Sequence, residues 1–114
     1  MSQAPRRDLS VPLPVAVRRD DGSLRPEYLV NVSETGLCLH MQTAVSVGEA
    51  LLVAFRLPFD ETLIEVACKV VWTGHAGDVQ PFPRFFETGL HLLEISDEHR
   101  KRIVIFVEAQ VDRR

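Results

Sequence analysis

From Leu13 to Leu93 the apolar positions recur at every second residue, the period of a strand that buries one face. Leu13, Val15 and Val17 alternate with Pro14, Ala16 and Arg18, and the run ends at RRDDGS, whose Asp-Gly pair signals a hairpin. EYLVNV forms the second strand. GLCLHM forms the third, with Leu37, Leu39 and Met41 on one face and Cys38 and His40 on the other. After a turn at SVGEA, Leu51, Val53, Phe55 and Leu57 alternate with Ala50, Leu52, Ala54 and Arg56, and LPFDET ends that strand. Ile64, Val66, Cys68, Val70 and Trp72 share one face of the fifth. TGHAGDVQPFP, with two glycines and two prolines, predicts a mobile loop before the last strand, RFFETGLHLLEI.

At Ser96 the period changes. Ser96 suits a helix N-cap, Asp97 and Glu98 suit the positive end, and Arg113 and Arg114 suit the negative end. Ile103, Phe106, Val107 and Val111 then follow the spacing of a helix with one buried stripe. Six strands and a terminal helix predict a mainly β fold, a small six-stranded antiparallel barrel whose open end the helix covers. No internal repeat or linker divides it. Residues 1–11 are expected to be a flexible N-terminal arm and residues 12–114 the barrel with its helix.

With 114 residues, 46% of them apolar and 25% charged, the chain is expected to fold as one globular domain. Its longest apolar runs, EALLVAF and IVIFV, are far shorter than the roughly 20 residues a membrane helix needs, so no membrane insertion is expected. MSQAPRRDLS lacks an apolar run behind its arginines, which argues against a secretory signal and for the cytoplasm. In that compartment the sequon Asn31-Val32-Ser33 is idle, and Cys38 and Cys68 are expected to be buried free thiols.

The net charge of −3 hides an asymmetry. Residues 1–25 hold five arginines against three aspartates, a balance of +2, while the other 89 residues carry −5. Nucleic-acid binding needs a broad basic face, so neither DNA nor RNA is expected as a partner. A small anionic ligand near the N-terminus is compatible with this charge, and so is a merely solvated arm. Enzyme chemistry finds no support: His40, His75, His91 and His99 stand singly, and the cysteines and histidines lack the spacing of a metal site.

NVSETGLCLHM carries more information. Asn31 and Ser33 can hydrogen-bond to nearby backbone, and Gly36 permits either positive φ or close approach of another group. Such a turn is either a simple Asx-turn with a glycine bend or a concave polar surface open to a ligand. Trp72 is equally ambiguous: it continues the buried stripe of its strand, or it sits on the rim and offers a face for base stacking.

RRDLSVPLPVAV, followed by NVSETGL, four strands and an amphipathic helix, resembles a PilZ domain over nearly the whole chain. PilZ domains are six-stranded barrels that bind the bacterial second messenger cyclic di-GMP through an RxxxR motif before the first strand and a [D/N]xSxxG motif after the second. The second motif is complete as Asn31, Ser33 and Gly36. The first has Arg6 at its first position and Ser10 at its second, with Arg7 out of step by one residue. The resemblance therefore implies a non-enzymatic receptor that binds cyclic di-GMP through Arg6, Arg7, Asn31, Ser33, Gly36 and Trp72, uses no cofactor or metal, and passes its signal to an effector protein. The alternative is a PilZ-like adaptor that has lost the nucleotide and works only through protein contacts, and Ser10 supports it.

Overall fold

In the computed structural model, which describes residues 5–76 and 85–111, the alternating stripes become six strands: β1 (Arg6–Arg19), β2 (Leu24–Ser33), β3 (Gly36–Met41), β4 (Ala50–Phe55), β5 (Ile64–Ala76) and β6 (Phe85–Glu94). All pair antiparallel, in the order β1-β2-β3-β6-β5-β4, and β1 meets β4 to close the barrel. Closure joins β1 to β4 through the pairs from Ala16↔Ala54 to Arg19↔Leu51. The predicted Asp-Gly hairpin joins β1 to β2, with Gly22 at φ 86° and its N–H donating to the Arg19 carbonyl.

The inward residues form one core, including Val15, Val17, Leu29, Leu39, Met41, Leu51, Ile64 and Val70. Each such aliphatic side chain contributes about 1.5–3 kcal/mol when withdrawn from water. The helix α1 (Asp97–Val111) starts where Ser96 predicts, with the His99 N–H donating to Ser96 Oγ. Ile103 and Val107 enter the core, and Phe106 packs against it. Arg102 Nη1 donates to both carboxylate oxygens of Asp60 at 3.0 Å, tying α1 to the β4–β5 loop. Arg113 and Arg114, and the side chain of Val111, lie outside the described residues.

Three features differ from the expectations. The boundary at residue 11 falls inside β1: Arg6, Arg7 and Asp8 already pair with Ser33, Val32 and Asn31 of β2, so the arm from Arg6 onward is strand. β5 runs on to Ala76, which makes the first part of the expected loop strand, while residues 77–84 lie outside the described residues. Glu27, read from the sequence only as part of a strand, is 1% exposed. Its carboxylate accepts the Gln42 N–H at 2.7 Å and the Thr43 hydroxyl at 2.8 Å, which offsets the cost of burying it and pins the loop after β3.

Both cysteines are buried and unpaired with each other, as expected. Burial pushes the Cys68 thiol up to about 12, and burial together with the nearby Glu87 charge raises Cys38 to about 11. Only the thiolate reacts, so native protein at pH 8 is expected to react slowly with a disulfide reagent and to release both thiols once unfolded. Fast labelling of either thiol in the native state would contradict this burial.

Candidate functional site

A cleft of about 700 Å³, well within the range of small-molecule sites, lies on the outer surface of the barrel across β2, β3, β6 and β5. Strand register explains its make-up. Asp8, Asn31, Cys38, Gly89 and Trp72 are successive cross-strand neighbours from β1 to β5, forming one outward-facing row. Arg6 beside Ser33 and Gly36 beside His91 flank that row on one side, and His40 beside Glu87 on the other.

Two register shifts aim the key side chains. On β2 the pairs Leu29↔Leu39 and Asn31↔Cys38 leave Val30 as an extra residue, so Leu29 and Val32 are both buried while Asn31 turns outward. On β5 the pairs Val70↔Leu90 and Trp72↔Gly89 leave Val71 as the extra residue. The buried stripe from Ile64 to Val70 therefore ends there, and Trp72 is 45% exposed on the outer face. Bulges re-aim side chains in this way because an added residue inverts the alternation. Of the two readings of Trp72, the rim position holds.

The turn divides its labour among three residues. The Ser33 hydroxyl accepts the N–H of Gly36 at 3.0 Å and of Thr35 at 3.2 Å, so Ser33 builds the bend. Gly36 has no positive φ; its need is space, since a Cβ there would sit 2.6 Å from the Leu90 carbonyl oxygen. Asn31 lines the cleft, and among the described residues its side chain makes no hydrogen bond, which leaves it available to a ligand.

Arg6 lines the cleft and Arg7 does not. Neighbours on a strand face opposite ways, and Arg7 reaches the helix: its Nη1 donates to the Phe106 carbonyl at 2.9 Å and its guanidinium lies 3.9 Å from the centre of the Phe106 ring. Of the six residues implied by the resemblance, the structure thus gathers Arg6, Asn31, Ser33, Gly36 and Trp72, and directs Arg7 elsewhere.

Gly89, Glu87 and His91 also line the cleft and were not anticipated. A Cβ on Gly89 would collide with the Trp72 indole, so the ring lies directly on that backbone. One signal was available. The tetrapeptide ETGL occurs twice, at 34–37 and 87–90, and both of its glycines border the cleft. Among the described residues no cluster of three or more His, Cys, Asp or Glu could hold a metal, and no helix is long and apolar enough to cross a membrane.

A family model described as the PilZ domain matches residues 2–109. Among solved structures, the chain is similar to the inhibitor of motility MotI/DgrA of Bacillus subtilis, with a TM-score of 0.81 and 19% identity over 100% of this chain and 53% of that one. It is similar to the PilZ domain of YcgR from Escherichia coli with c-di-GMP, with a TM-score of 0.75 and 11% identity over 96% and 93% of the two chains. The MrkH-c-di-GMP complex of K. pneumonia gives a TM-score of 0.73 and 12% identity over 99% and 56%. The chain spans about half the length of the MotI and MrkH chains. At these identities the likeness carries the fold. No curated protein matches the chain in sequence.

Proposed function

The chain belongs to the PilZ domain family, and from that premise we propose that it is a non-enzymatic bacterial receptor for cyclic di-GMP. The observation that carries this reading is the convergence, in one cleft, of a guanidinium (Arg6), an uncommitted amide (Asn31), a glycine-spaced bend (Ser33 to Gly36) and an exposed indole (Trp72). Each suits a part of a cyclic dinucleotide. Arg6 offers a planar fork of donors to phosphate or to a guanine edge, and Trp72 offers a stacking face. Asn31 has both donor and acceptor for a base edge.

The signal has a short path out of this cleft. Arg6 and Arg7 are adjacent, so a ligand that draws Arg6 inward acts on the same strand segment that holds α1 through Phe106. A cytoplasmic effector protein that senses the seating of α1 fits this arrangement. A duplex nucleic acid fits poorly, given the net charge of −3. The second reading is the nucleotide-free adaptor. It draws on Ser10, whose hydroxyl cannot replace a guanidinium fork.

Titration with cyclic di-GMP, followed by calorimetry and by the fluorescence of the single tryptophan, tests the proposal. Arg6→Ala and Asn31→Ala are expected to weaken binding by about 1–2 kcal/mol each while leaving the melting temperature unchanged, since neither side chain supports the core. Ser33→Ala is expected to weaken binding and also to lower stability by about 1 kcal/mol, because two turn N–H groups lose their acceptor. Unaltered affinity in all three variants would remove the cleft as the binding site.

A further inference from the structure

Glu87 is out of place in a cleft for a dianionic ligand. Its side chain is 46% exposed, and among the described residues it accepts no hydrogen bond. The nearest cation candidate, His40 Nε2, lies 3.6 Å away, beyond hydrogen-bonding distance. A carboxylate only accepts hydrogen bonds, and beside a phosphate it repels. The parts of a cyclic dinucleotide it can contact favourably are a ribose 2′-hydroxyl, which both guanine and adenine dinucleotides carry, and a donor-bearing base edge, which distinguishes them; the indole beside it favours the base.

Resting on the cyclic di-GMP reading above, we infer that Glu87 reads the Watson–Crick edge of one guanine and sets the preference for guanine over adenine. Guanine presents N1–H and the 2-amino group side by side, two parallel donors that match the two oxygens of a carboxylate. Adenine presents one donor, its 6-amino group, next to the acceptor N1, which a carboxylate repels. Glu87 also stands where such an edge arrives. It is two residues from Gly89 on the outward face of β6, about 7 Å along the strand, and the Trp72 indole lies on Gly89. A base stacked on that indole has Glu87 within reach of its edge. His40, stacked on Phe85 with ring centroids 4.5 Å apart, is the cross-strand neighbour of Glu87 and bounds the carboxylate on its β3 side.

The test compares cyclic di-GMP with cyclic di-AMP on wild type and Glu87→Gln, read by tryptophan fluorescence. Wild type is expected to prefer cyclic di-GMP. The substitution is expected to weaken cyclic di-GMP binding about 10- to 30-fold without weakening cyclic di-AMP, because an amide can pair with adenine but not with two guanine donors. The bland alternative moves the result the other way: if Glu87 merely places a negative charge near the phosphates, Glu87→Gln binds both dinucleotides more tightly. That outcome, unchanged affinity for both, or equal weakening of both as a contact to the shared ribose hydroxyls would give, overturns the inference while leaving the receptor reading intact. Failure of wild type to bind cyclic di-GMP overturns the two together. The half-exposed position of Glu87 makes an unchanged melting temperature the expected control.

Discussion

Gly36→Val is expected to lower the stability of the barrel by about 2–3 kcal/mol, or roughly 10–20 °C in melting temperature for a domain of this size. The cause is local. A Cβ at this position would lie 2.6 Å from the carbonyl oxygen of Leu90, which is backbone of the adjacent strand and cannot swing aside as a side chain would. Gly36 and Leu37 pair with His91 and Leu90, so relief requires β3 and β6 to part at the edge of the cleft. Steric crowding and backbone strain predict different mutants. If Gly36 were kept for a left-handed φ, asparagine would restore much of the stability, as it should at Gly22, where φ is 86° and nothing lies within 4 Å of an added Cβ. Because the need is space, Gly36→Ala and Gly36→Asn should melt nearly as low as Gly36→Val. A normal melting temperature in Gly36→Ala would show that the two strands have room to spare.

Strand number, strand faces and the capped helix were legible because burial on one face imposes a period of two and burial of one stripe a period near 3.6. The site was legible only where a motif named it. Trp72 illustrates the limit. By alternation it belongs with Val66, Cys68 and Val70 in the core, and only the extra residue at Val71 turns it outward. Bulges of this kind depend on how two strands register against each other, which a single strand's pattern does not contain. The same applies to Asn31, turned out by Val30, and to Arg7, whose partner Phe106 is 99 residues away. Gly89 and Glu87 were hidden for another reason. Their places beside the indole of β5 and at the cleft follow from cross-strand register, which the pattern of β6 alone does not contain.

Ser10→Arg is expected to raise affinity for cyclic di-GMP by roughly 1.5–3 kcal/mol, about 10- to 150-fold. Along β1, Arg6, Asp8 and Ser10 are exposed while the intervening Arg7 and Leu9 are half-buried, so Arg6 and Ser10 point to the same side. The pairing of β1 with β2 is interrupted between Asp8 and Leu13, which leaves Ser10 without a cross-strand neighbour there. An arginine at this position thus displaces no packed side chain, and its long side chain offers a second fork from a Cα roughly 13 Å along the strand from that of Arg6. Arg7 cannot supply that fork without giving up its carbonyl and ring contacts to Phe106. Because the added contact is with an anion, the gain should shrink as salt is raised. A gain that persists undiminished at high salt would point to base stacking by the new guanidinium rather than phosphate contact. If neither wild type nor Ser10→Arg binds at high micromolar cyclic di-GMP, the receptor reading gives way to the nucleotide-free adaptor, and the contact between Arg7 and α1 becomes a fixed clamp on the helix.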